Sequence, residues 1–139
     1  MIHTLKRLLL DRRGTSGVEF AIVAPVFTLF VLGIICFGVL FGTYNGVQQL
    51  AAEAARASVA GLSVSERDQL ARNYVTSNVT AYGFLAPANV AVATSSQSTS
   101  FQVTVTYDMS GSIIFKLGNI LSVVSPKITR SAAIQNGGL

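Results

Sequence analysis

Residues 14–42 read GTSGVEFAIVAPVFTLFVLGIICFGVLFG. From Phe20 to Gly42 no side chain is charged. As a helix, that run rises about 1.5 Å per residue and covers roughly 35 Å, enough to cross a hydrocarbon core of about 30 Å with some tilt. One carboxylate, Glu19, stands at its entrance. Five residues earlier stands Gly14, behind Arg12 and Arg13. The rest of the chain is organised around this order of basic leader, glycine, four residues, glutamate and long apolar helix.

The leader, residues 1–14, carries Lys6, Arg7, Arg12 and Arg13 against Asp11 and holds most of the net charge of +4. Basic residues beside a span stay cytoplasmic, so the N-terminus is expected inside and the C-terminal domain outside. Leu8 to Leu10 is too short for the apolar core of a secretory signal and the following run is too long for one, so a cleaved signal of that type is not expected. Beyond the leader, acidic and basic residues nearly balance. That composition lacks the basic stripe needed to neutralise phosphates, and nucleic-acid binding is excluded. The resulting division is a leader at 1–14, a transmembrane helix at 15–42 and an extracytoplasmic domain at 43–139, anchored in membrane lipid.

Within the span, Pro25 lacks the donor that would reach the carbonyl of Ala21, which favours a bend. Gly38, Gly42 and Gly46 recur every fourth residue, a spacing that lets another backbone approach closely in lipid. The single cysteine, Cys36, lies in mid-span, so neither an intramolecular disulfide nor a cysteine metal cluster is available.

Downstream, Val47, Leu50, Ala51, Ala54 and Ser58 form a helical stripe, which extends the first helix to about Ala60, with Gly61 ending it. Ser63 and Glu66 fit a capping box for a second helix carrying Leu70, Ala71, Tyr74, Val75 and Asn78 on one face, with Glu66 and Asp68 in its first turn. The period then changes to two. Val90 and Val92 alternate with alanines, Ser95 to Thr99 reads as a turn, and Phe101, Val103, Val105 and Tyr107 alternate with polar residues. An antiparallel hairpin is expected. Gly111 breaks it, Ile113 to Leu121 reads as a short apolar helix or helical turn covering the sheet or the membrane surface, and Lys127 to Ile134 as a third strand. The fold class is therefore α+β: a long N-terminal helix leaving the membrane, a second helix and a small antiparallel sheet of about three strands.

Catalysis is not expected, and no cofactor or metal is implied. The one histidine, His3, lies in the leader, so a Ser-His or Cys-His pair in the outer domain is ruled out. No phosphate-cradling glycine loop follows a strand. Asn78-Val79-Thr80 matches the glycosylation sequon, a motif short enough to arise by chance.

Glu19 is the residue with unexplained chemistry. A carboxylate at the mouth of an apolar span is costly to bury unpaired, and the alternative is that Glu19 sits in the headgroup zone and reaches water. Cutting after Gly14 would create an amine on Thr15, one helical turn from Glu19. In an assembly the carboxylate could meet a neighbour's amine instead, a pairing that sets register.

Gly14, the residues TSGV, then Glu19-Phe20 resemble the prepilin peptidase site of type IV pilins and pseudopilins. The wider run, with Val18-Glu19-Phe20-Ala21, Pro25, the span and the continuation AAEAARASVAG, resembles the TadE-like family of pseudopilins, part of the Tad machinery that builds Flp-type pili. The closing KITRSAAI is similar to that family's C-terminal region in outline. The resemblance implies cleavage after Gly14 on the cytoplasmic side, Glu19 as the fifth mature residue, and a non-enzymatic minor pilin. A cut after Gly17 would put Glu19 second, which fits the pattern badly. The implied partners are other pseudopilins, the major pilin, the prepilin peptidase and inner-membrane platform proteins, and the implied location is the inner membrane. The major Flp pilin is a much shorter chain, so the extra hundred residues here argue for a minor component. The rival reading is an uncleaved, membrane-anchored binding or sensing domain with no pilus role.

Overall fold

Helix α1, Thr15–Ser58, contains Pro25 and carries the whole apolar run. The computed structural model describes residues 15–116 and 125–135, and the chain divides into two units, Met1–Gly38 and Val39–Leu139. In the first unit no described side chain is buried. Phe20, Phe27, Leu29 and Phe30 are among its exposed large apolar residues. In water such a surface would be unfavourable by about 25 cal/mol per Å². A mean hydropathy of 2.7 in its most apolar window, with none of that window buried, is consistent with a membrane anchor.

In the second unit burial begins at Leu40. Val47, Leu50, Ala51, Ala54 and Ser58 are all fully buried, so the stripe expected from their spacing is the face α1 turns to the core. The helix ends at Ser58, slightly before Ala60. The Ser58 hydroxyl donates to the carbonyl of Ala55 (2.6 Å), and the amides of Val59 and Gly61 donate to the carbonyls of Arg56 and Ser58 (both 3.1 Å), tightening the last turn. Gly61 does not adopt the left-handed backbone of a usual C-terminal glycine. Its role is close approach: a Cβ there would lie 2.7 Å from the Arg67 amide nitrogen and Cγ.

Helix α2, Val64–Asn78, starts as its sequence predicts, with Ser63 Oγ accepting from the amide of Glu66 (3.2 Å). The reciprocal bond is shifted by one residue, since Glu66 Oε2 accepts from the amide of Leu62 (2.9 Å) rather than of Ser63. Glu66 lies in the first turn, whereas Asp68 lies beyond it. Ala71 and Val75 are its buried residues. Short 3-10 turns follow at Val79–Ala81 and Pro87–Asn89.

Strands β1 (Val90–Ser96), β2 (Ser100–Asp108) and β3 (Lys127–Gln135) form one antiparallel sheet in sequential order. The register places Val92 opposite Val105, and Val103 opposite Ala132. Phe101, Val103, Val105, Tyr107 and Ile128 are buried on the inner face. On the other face Thr104 bonds Ser131 (2.9 Å) and Thr106 bonds Thr129 (3.1 Å). This two-sided pattern is the direct result of the period-two sequence. Helix α3 covers Ile113–Lys116. The rest of the apolar segment expected there, from Leu117 to Leu121, lies outside the described residues. The architecture is α+β as expected.

Candidate assembly surface on the N-terminal helix

The residues singled out by sequence fall along α1. Gly14 lies outside the described residues, and Thr15 is the first residue of the helix as described. Glu19 and Phe20 are exposed, Phe20 by 73%. Among the described residues Glu19 has no hydrogen-bond or ion-pair partner.

Pro25 is embedded in the helix. Beside it the Thr28 hydroxyl donates to the carbonyl of Ala24 (2.8 Å), which satisfies a polar side chain within the apolar run. Ile22, Val23, Val26, Phe27 and Phe30 line a shallow apolar hollow on one helix face. Their spacing places them on adjacent turns, and such a surface of ridges and grooves suits packing against another helix.

The three spaced glycines meet different surroundings. Gly38 has open space where a Cβ would be. At Gly42 a Cβ would lie 2.8 and 2.9 Å from two ring carbons of Phe84. At Gly46 it would lie 3.6 Å from Leu85 and from Tyr82. The structure thus fills the space beside Gly42 and Gly46 with the chain's own 82–85 segment. A small cavity of about 190 Å³ remains there, lined in part by Gly42, Asn45, Gln49 and Tyr82. The Tyr82 hydroxyl is pushed above its usual acidity range first by burial and then by the neighbouring Tyr74.

Tyr107 on β2 fixes that segment. Its hydroxyl donates to the carbonyl of Phe84 and accepts from the amide of Ala86, both at 3.2 Å. Arg130 on β3 sits over the ring of Tyr44 on α1, 4.8 Å from its centroid. In the sequence Tyr107 stands only as one of the alternating apolar residues of a strand, and neither Phe84 nor Tyr44 stands out. The available signals were a glycine flanked by aromatic residues in Tyr82-Gly83-Phe84 and a lone cation in the apolar register of β3.

Chemically, the described surface offers packing and one unpaired acid. Among the described residues no three His, Cys, Asp or Glu side chains come together as a metal-binding group.

No curated protein and no solved structure shows significant similarity to the chain. A family model does match, and its span is nearly that of α1, leaving α2 and the sheet outside it. Residues 14–56 match the family described as TadE-like protein, so the likeness read from Glu19-Phe20, Pro25 and the apolar run holds over that segment.

Proposed function

We propose that this chain is a minor pilin or pseudopilin of a Flp-type pilus, cut by a prepilin peptidase after Gly14 and acting by packing rather than by catalysis. The observation that carries this reading is the coincidence of the family match at 14–56 with a helix, Thr15–Ser58, whose first part buries nothing of its own. A helix with so much exposed apolar surface is built to be covered by lipid and then by other helices. The remaining features follow from the resemblance and the charge pattern. The N-terminus lies in the cytoplasm and the domain outside the inner membrane. Other pseudopilins, the major pilin and platform proteins are the partners, and the domain presents its surface from the assembly.

The test is the intact mass of the membrane-extracted protein from cells with and without the peptidase. The expected result is a chain beginning at Thr15 only when the peptidase is active, and loss of that product when Gly14 is replaced by a bulky residue. A full-length chain in both cells would leave a membrane-anchored domain without pilin processing.

A further inference from the structure

We infer that the Tyr82–Leu85 segment is a second membrane contact of the outer domain, with the Phe84 ring seated at the boundary between acyl chains and headgroups. The inference rests on the reading of α1 as a membrane span. It uses geometry within the Val39–Leu139 unit alone.

Three observations carry it. First, the core of that unit begins at Leu40, before the apolar run gives way at Gly42 to Thr43, Tyr44 and Asn45. The folded domain therefore reaches down onto the last part of the apolar run. Second, the Phe84 ring is level with Gly42, since it occupies the space a Cβ would take there. Glycine at 42 is what lets the ring lie against the helix backbone. Third, Phe84 remains 55% exposed, and Phe41, on the same stretch of helix, is 71% exposed. Two large apolar rings are thus presented where the apolar run of α1 gives way to polar residues.

The ring is also held in place. The Tyr107 hydroxyl binds the Phe84 carbonyl and the Ala86 amide, and Leu85 is buried in the core. A segment tied on both sides keeps an apolar side chain outward only at a cost in water, which contact with lipid removes. Aromatic rings at membrane–water interfaces serve as anchors of this kind. Asn45 and Gln49 follow on the helix, so the surface turns polar just past the ring. That polarity gradient matches a lipid boundary better than the flank of another apolar helix.

The chain contains no tryptophan, so Phe84→Trp gives a single reporter in the full-length protein. It is reconstituted in phosphatidylcholine–phosphatidylglycerol vesicles whose acyl chains carry bromine either near the headgroup or near the terminal methyl. Phe30→Trp reports the span and Thr106→Trp the polar sheet face. For Phe84→Trp the expected result is blue-shifted emission, quenched more by shallow than by deep bromine, while the Thr106→Trp protein is unquenched. Emission from Phe84→Trp that resists both bromines overturns the inference, whether it is red-shifted into water or blue-shifted by a protein neighbour. If the Phe30→Trp protein is also unquenched, the span reading fails with it. If Phe30→Trp is quenched and Phe84→Trp is not, only the second contact is lost.

Discussion

At the scale of single residues, the glycines of this chain separate by what stands beside them. Gly61 faces backbone: the Arg67 amide nitrogen at 2.7 Å and its Cα at 3.0 Å from a built Cβ. Arg67 is fixed there, because its amide donates to the Ser63 carbonyl (3.0 Å) and its Nε to the Gly61 carbonyl (2.9 Å). Neither side can give without disturbing the first turn of α2. Gly61→Ala is therefore expected to destabilise the domain by about 1–3 kcal/mol, the usual range for overpacking. Gly83 has nothing within 4 Å of a built Cβ and is not left-handed, so Gly83→Ala is expected to be neutral or stabilising by about 0.4–1 kcal/mol. Denaturant unfolding of the two variants in the same detergent checks the contrast. Equal effects would mean that the contact at Gly61 relaxes freely.

At the scale of elements, α2 is joined to the edge strand β1 through a small polar cluster. Asp68 accepts from Arg72 Nε (2.9 Å to each oxygen) and from the Thr94 hydroxyl (2.6 Å), and Arg72 Nη1 donates to the Val92 carbonyl (2.9 Å). The Arg72 hydrogen bond first, then that of Thr94, holds the Asp68 carboxyl below its usual range, against a small opposing effect of burial. A carboxyl lowered in the native state stabilises it above the unfolded value, near pH 4, and this contribution disappears as pH falls through the native value. The pair is substantially exposed, with side-chain accessibilities of 31% for Asp68 and 49% for Arg72, so solvent screening keeps its contribution small. Asp68→Asn is expected to lower stability by about 0.5–1 kcal/mol at neutral pH, with the gap from wild type closing below about pH 4. Asp108, also lowered, chiefly by Ser110, is present in both proteins and cancels. Unfolding curves for both proteins across this range decide the matter, and a gap independent of pH would show that charge at Asp68 contributes nothing. The elements themselves were legible because their signals are local: Ser63 and Glu66 mark the start of α2, and Phe101, Val103, Val105 and Tyr107 mark β2. The ties between elements were not legible. Arg72 to Val92, Tyr107 to Phe84 and Gly42 to Phe84 each join positions twenty or more apart, and no periodicity records such pairs. Gly42 and Gly46 looked like a surface for another helix for the same reason, since nothing nearby in the sequence announces that residues 82–85 return to cover them.

At the scale of the whole molecule, most of the polar chemistry among the described residues lies in the domain, and most of their exposed large apolar side chains lie on the first part of α1. Glu19 is the exception, an acid on the apolar helix with no partner among the described residues. Replacing it with alanine lowers the cost of transferring the helix into lipid, so membrane insertion should be unaffected. Assembly should behave differently. If Glu19 pairs with the Thr15 amine created by cleavage, on its own chain or a neighbour's, the variant leaves that amine unpaired in a medium of low dielectric. Losing one partner of a buried pair costs about 3–5 kcal/mol, which corresponds to more than a hundredfold in an association constant. Glu19→Gln keeps the shape but not the charge and should do nearly the same damage. Both variants are to be compared with wild type at equal membrane levels, by counting surface pili and by crosslinking the pilin complexes. Loss of both signals with normal insertion is the expected outcome. Wild-type pili and crosslinks in both variants would place Glu19 in the headgroup region, bonded to water, and remove it from the assembly.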